Sequence, residues 1–268
     1  MKPYLTLFLS ALLLVAVSCE KPNSEDEHPQ SAANIIRNAV KDIDGNTYDA
    51  VKIGGKVWMA EDLRTQTLAN GQKLSYGPDC KSNYSYYYPD NDINNVPTYG
   101  LLYTFTAATG ITNSTQSSSA VPSGIQGICP NGWHIPSKAE WELLFSSISS
   151  VPQFCCNGNP DYIAKAMASA TGWATNVISD PDSACWVGVN QSLNNASGFN
   201  AMPAGSVSLI RPDSAMNFGY HAQFWSCSIE PNYPDQADIV WFNYQSPNVI
   251  RTPYVFNGTA MSVRCVQN

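Results

Sequence analysis

The stretch that decides the fold is Cys129-Pro130-Asn131-Gly132-Trp133-His134-Ile135-Pro136-Ser137-Lys138-Ala139-Glu140-Trp141-Glu142-Leu143-Leu144-Phe145-Ser146-Ser147-Ile148. Pro136 precedes a capping box: Ser137 and Glu140 have the S-x-x-E spacing in which each side chain satisfies a free backbone N–H. Trp141, Leu144, Phe145 and Ile148 then recur at helical spacing. One apolar face on a helix over Ser137–Ile148 follows. A second helix is expected over Asp161–Ser169, with Ile163, Ala164, Met167 and Ala168 inward. Leu101–Ala108 reads as a short helix or a buried strand.

Strand patterns lie on both sides. Ala39–Leu63 reads as a β-meander, with one turn at Asp44-Gly45-Asn46 and the next at Gly54-Gly55. Glycine takes positive φ in such turns at low cost. Past Gly172 the expected strands are Trp186–Val189, Gly198–Met202, Ala222–Ser226, Ile239–Asn243 and Ser262–Val266. Helices in the middle and strands at both ends predict an α+β fold. It is a single loop-rich domain of short antiparallel strands and two helices, with the termini paired in one sheet.

Composition narrows the classes. The 268 residues carry a net charge of −7, and only 14 Lys and Arg are spread along them, so no nucleic-acid partner is expected. Apolar residues make up 44%, too many for a disordered chain. Eight cysteines speak against a reducing cytosol unless they bind metal.

The N-terminus supplies an address. Lys2 is followed by the apolar run Leu5–Val17, too short and too early for a mature membrane span. Ala16-Val17-Ser18-Cys19 resembles the bacterial lipobox, in which the Cys is acylated and becomes the new N-terminus. Residues 1–18 are then a lipoprotein signal peptide, Cys19 is the lipidation site, and residues 19–33 form an acidic tether. The polar, acidic stretch Glu20–Gln30 just after Cys19 resembles the surface-export signal of Bacteroidetes lipoproteins and reads equally well as a plain solvated linker. The expected location is the outer membrane or cell surface, held to the membrane by the lipid anchor, with the periplasmic face left open. From residue 34 to 268 one domain follows.

An ordered set of segments resembles one family. It comprises Asp42-Ile43-Asp44-Gly45-Asn46-Thr47-Tyr48, Ile53-Gly54-Gly55-Lys56-Val57-Trp58-Met59-Ala60-Glu61-Asp62-Leu63 and Tyr99-Gly100-Leu101-Leu102-Tyr103-Thr104. It continues through Cys129–Ser137, Trp141, Gly198-Phe199, Pro203-Ala204-Gly205, Phe224-Trp225-Ser226 and Ser262-Val263-Arg264-Cys265-Val266. This set resembles the Fibrobacter succinogenes major paralogous domain, a family of exported bacterial domains. Gly55, Asp62 and Cys227 depart from its usual Gln, Asn and Ser. Trp133–Trp141 and the closing Val-Arg-Cys also resemble the formylglycine-generating-enzyme fold, itself related to C-type lectins. The resemblance implies a compact C-type-lectin-like domain whose first and last strands pair. It implies no activity.

Seven cysteines remain after Cys19, an odd number, and the residues alone choose no connectivity. The family resemblance favours Cys129 with Cys265. Cys155 or Cys156 with Cys185 is the next expectation. Adjacent Cys155-Cys156 is not C-x-x-C, so redox chemistry lacks its motif. Zinc hydrolysis lacks H-E-x-x-H and acyl transfer lacks G-x-S-x-G, so no catalytic residue is assigned and the protein is not expected to be an enzyme. Polysaccharide hydrolysis by paired carboxylates stays as a rival reading, because pairing in space is invisible in sequence.

Calcium is the one cofactor left open. Asp42-x-Asp44-Gly45-Asn46 starts like an EF-hand loop, but its Gly is misplaced and the closing Glu is absent, so the turn reading outweighs the metal one. Asp90, Asp92 and Asn94 offer loop oxygens, with the same weighing. Glu230-Pro231-Asn232 copies a sugar-specificity triplet of C-type lectins, which makes Glu230 and Asn232 ligand candidates. Tyr86, Tyr87 and Tyr88 are the others, because amphipathic rings stack on sugars or anchor interfaces with little entropy loss. Alternation puts Tyr86 and Tyr88 on one side of a strand and Tyr87 on the other. The expected function is a lipid-anchored binding or adhesion module for a glycan or a surface protein. A structural subunit of a surface fibre is the alternative.

Overall fold

The computed structural model describes residues 34–77, 84–111, 124–175, 180–181, 183–230, 232–255 and 258–268. In chain order the strands are β1 (Ile35–Lys41), β2 (Thr47–Ile53), β3 (Lys56–Met59), β4 (Ser75–Tyr76), β5 (Ser85–Tyr87), β6 (Leu102–Thr104) and β7 (Trp133–His134). They continue as β8 (Ser206–Ser208), β9 (Arg211–Met216), β10 (His221–Glu230), β11 (Tyr233–Asn243), β12 (Val249–Val255), β13 (Thr259–Met261) and β14 (Val266–Gln267). The helices are α1 (Val96–Tyr99), α2 (Phe105–Thr109), α3 (Lys138–Ser149) and α4 (Ala164–Met167). Three sheets result, ordered β1-β2-β3-β14-β7, β10-β11-β12 and β4-β5-β6-β13-β8-β9.

The meander forms as its turns dictate. Gly54 and Gly55 both have positive φ, 59° and 82°, which a two-residue hairpin turn of matching twist requires. Gly54 is needed for a second reason: a Cβ there would lie 2.1 Å from the Ser147 hydroxyl, so α3 rests directly on this turn. The last strand then closes the first sheet. Val266 of β14 pairs with Trp58 of β3 on one side and His134 of β7 on the other. Both ends of the described chain therefore share a sheet, but β14 joins β3 rather than the first strand. In the meander β2 has both neighbours, and β3 is the edge left to receive a partner.

Helix α3 has the full capping box: Glu140 N donates to the Ser137 hydroxyl, and Ser137 N donates to the Glu140 carboxylate. Its buried face is Trp141, Leu144 and Ile148. Trp141 packs on Trp58 at 5.0 Å and on Phe199 at 5.9 Å. Each such fully buried large side chain contributes roughly 1.5–3 kcal/mol. The β10–β11 hairpin serves two cores by alternation. Ala222, Phe224, Val240 and Phe242 face the Trp141 cluster. Trp225, Cys227 and Ile239 face the cluster of Tyr103, Phe105 and Met261, where Trp225 Nε1 donates to the Tyr103 carbonyl at 2.8 Å.

Several expected elements differ. Leu101–Ala108 is both a strand and a helix, β6 running into α2. The helix expected over Asp161–Ser169 shrinks to α4, because Ala168 turns extended to bridge Ala201. Trp186–Val189 is no strand: Val189 N bonds back to the Trp186 carbonyl in a turn. Gly198–Met202 keeps a single bridge at Ala201, since Asn200 has φ 58° and cannot continue a strand. Residues 263–265 are irregular, for a reason given below.

Candidate functional site

The turn after β1 is built on two aspartates. Asp42 accepts from Asn46 N at 2.8 Å, from Asn46 Nδ2 at 2.8 Å and from the Tyr48 hydroxyl at 2.6 Å. Burial, then the bond to Asp42, pushes the Tyr48 phenol far above its ordinary range. Asp44 reaches across to the segment after β3. It accepts from Thr65 Oγ1 at 2.8 Å, Gln66 N at 2.6 Å and Thr67 Oγ1 at 2.6 Å. Burial would raise the Asp44 pKa, but the bonds from Thr67, Thr65 and Gln66 outweigh it and hold the carboxyl below its usual value. The Asp-x-Asp-Gly-Asn run is thus a clamp whose carboxylate oxygens serve the chain itself.

This clamp fixes residues 64–67, whose alternation serves two clefts. Thr65 and Thr67 line one of about 210 Å³, closed on its far side by Cys129 and Asn131. Arg64 and Gln66 line the other, of about 520 Å³, together with Asp44, Asn46 and Tyr88. Its apolar rim is Ile93, Val96 and Pro97, with Ile93 59% exposed. Asp92 holds that rim: its Oδ1 accepts from Asn94 N and Asn94 Nδ2, both at 2.9 Å. Asp92 and Asn94 are thus bonded to each other within this loop. Asp90 is exposed, with φ 53°.

Of the three tyrosines, only Tyr88 reaches the cleft. Its half-buried ring stacks on Tyr76 at 4.5 Å. Tyr86 and Tyr87 are 8% and 4% exposed, which corrects the expectation that they meet a ligand. Tyr86 packs between Tyr76 and Tyr88. Tyr87 lies so close to Gly77 that a Cβ there would meet its ring at 1.9 Å. Glu230 and Asn232 stand apart from this group, on the β10–β11 hairpin. The Glu230 carboxylate accepts from Lys138 Nζ at 3.0 Å, and Asn232 is exposed. Sequence reasoning missed Asn46, Arg64 and Gln66 as lining residues.

The sequence model of the Fibrobacter succinogenes major domain matches residues 51–267. The chain belongs to that family. No curated protein and no solved structure matches the chain. Among the described residues the Fibrobacter succinogenes major domain carries two disulfides, Cys129–Cys265 and Cys156–Cys185. Cys155 and Cys227 are free and buried, and Cys80 lies outside the described residues. Burial pushes the Cys227 thiol up to about 12. Cys19, the signal peptide and the tether also lie outside the described residues. No helix among the described residues is long and apolar enough to cross a membrane.

Three further charged groups belong to this domain's frame. Arg264 is fully buried, bonded to Asp62 and to the carbonyls of Met59, Phe199 and Asn200, with its guanidinium 4.6 Å from the Phe199 ring. That clasp is why residues 263–265 leave the strand. His134 Nδ1 lies 2.7 Å from Asn268 Oδ1 and its Nε2 lies 2.8 Å from Glu140, so both ring nitrogens face acceptors. The bond to Glu140 raises the His134 pKa against burial. Lys165 Nζ donates to the carbonyls of Trp186 and Val189, and burial lowers its pKa to about 8.

Proposed function

We propose that this protein is a lipid-anchored module of the bacterial cell envelope that binds a glycan in the Tyr88 cleft without cleaving it. The observation that carries the reading is the cleft itself. A tyrosine ring and an apolar rim stand opposite Arg64, Gln66 and Asn46, in a volume of about 520 Å³. Sugars present an apolar C–H face and a belt of hydroxyls, and such a surface suits both. Anchoring through Cys19 and display on the outer membrane rest on the lipobox and the acidic tether. A C-type-lectin-like fold is part of the same reading. It is supported by the sheet that gathers β1–β3 with β14, and by the Cys129–Cys265 bond beside it.

Binding fits the cleft better than hydrolysis does. Asp44, the carboxylate lining it, accepts three hydrogen bonds and is held ionised, so it is poorly suited to act as a proton donor. Elsewhere on the strands, Glu230 and Asp238 are both tied to Lys138.

The test is an array of plant, host and microbial glycans with the purified protein, followed by product analysis of each ligand. Retention of a glycan with no cleavage product is the expected result. Silence across the array, or release of shorter sugars, would overturn the reading. Added EDTA is expected to leave binding unchanged, because Asp42, Asp44 and Asp92 spend carboxylate oxygens on their own chain. Loss of binding in EDTA that calcium restores would instead assign a metal to the loop at Asp90.

A further inference from the structure

The cleft is richer in free donors than in free acceptors. Arg64 is held in place without being used up. Its Nη2 donates to the Thr47 carbonyl at 2.7 Å, and its guanidinium lies 4.5 Å from the Tyr48 ring centre. The guanidinium makes one further contact, a stretched one, Nη1 to Glu61 at 3.4 Å, and the Glu61 side chain is 39% exposed. Guanidinium carries five N–H donors, so Nε–H and further Nη hydrogens form no bond among the described residues. The exposed Gln66 side chain also forms none there, while its backbone N–H is fixed on Asp44. On the acceptor side, Asp44 already takes three bonds. Asn46 donates its amide to Asp42, which leaves its carbonyl as the acceptor toward the cleft.

A ligand that matches this inventory brings acceptors in a planar pair. We infer that the anchoring group of the bound glycan is a carboxylate, as on a hexuronic acid, taken by Arg64 while the ring lies against Tyr88. The inference rests on the glycan reading given above. A carboxylate bonds guanidinium in a bidentate fork, shorter and stronger than the stretched contact to Glu61 that it would replace. Two opposing charges must be weighed. The net charge of −7 is spread over the whole chain and is screened beyond about 8 Å at physiological ionic strength. Asp44 is close, but hydroxyl and amide dipoles already converge on both its oxygens. The fork at Arg64 is the shorter-range term, so it decides the preference.

The experiment is calorimetric titration of the purified protein with a galacturonate trisaccharide. Its comparison ligand is the neutral galactose trisaccharide obtained by carboxyl reduction. The acidic sugar is expected to bind at least about tenfold more tightly, the scale of one charge-assisted bond. That preference should shrink as sodium chloride is raised. Arg64→Met is expected to abolish the preference, lowering the affinity for the acidic sugar by about tenfold more than that for the neutral one. If Arg64→Met unfolds, Gln66→Glu serves instead: an exposed, near-isosteric change that puts a like charge beside the ligand, and it should reverse the preference. Equal affinity for the two sugars, or a preference that survives both variants, overturns the carboxylate inference and leaves the glycan reading standing. Binding of neither sugar, together with a silent array, overturns the glycan reading itself.

Discussion

Arg264 and Asp62 are wholly buried, and each carries a charge that the interior tolerates only because the other is there. Arg264→Met would strand the Asp62 carboxylate in the core. The expected cost is about 3–5 kcal/mol, read as a lower urea midpoint. Changing both, Arg264→Met with Asp62→Asn, should recover part of the loss, because no uncompensated charge remains. His134 gives a pH signature. Its pKa is raised in the folded protein, so its contribution is complete below its ordinary value of 6.5 and fades as pH rises through the raised value. Glu140 is lowered to about 2, so its contribution is complete above its ordinary 4.5 and fades as pH falls toward that value. The contribution of this pair is therefore complete between about pH 4.5 and 6.5 and falls on both sides, read as the gap in Tm between the protein and His134→Gln. That gap should narrow as pH rises through the raised His134 value. A gap that stays constant there would mean that His134 does not cause the alkaline fall.

At the scale of elements, the capped helix was the most legible part, because a capping box and a 3.6-residue stripe are local signals. Helix α4 was not, because its end is set by a bridge to Ala201, 33 residues beyond Ala168. The tyrosine run was half legible. Alternation correctly separates Tyr87 from Tyr86 and Tyr88, but it cannot tell that Gly77 and Tyr76 cover those faces. The cleft was not legible at all, since it joins a turn near residue 45, a segment near 65 and a loop near 93. Nor was Arg264, although a charge set between Val263 and Cys265 in an otherwise apolar run was a usable hint. The edges bear on the rival reading of fibre assembly. Edge strand β12 carries Pro253, which has no N–H to offer a neighbouring chain. Edge strand β1 is interrupted by a register shift, with Asn38 at φ 48°. Pro253→Val should leave the fold intact and raise self-association in light scattering. An unchanged monomer would mean that this edge is guarded by something else.

For the whole molecule, two covalent ties hold a loop-rich domain. Cys129–Cys265 spans 136 residues and Cys156–Cys185 spans 29. In the chain-entropy picture the longer loop stabilises more, by about 1.4 kcal/mol. Replacing the first pair by serine should therefore lower Tm more than replacing the second. Cys155 and Cys227 should stay silent to a thiol reagent until the protein unfolds, since both are buried. The domain so held builds the Tyr88 cleft from three separate chain segments. The most direct measurement is the affinity of an array-selected glycan for the native protein and for Tyr88→Ala, with circular dichroism to show that both are folded. The expected result is a loss of at least about tenfold in the variant, as for an aromatic anchor at the centre of a binding surface. An affinity unchanged by Tyr88→Ala in a folded protein would contradict the assignment of the cleft.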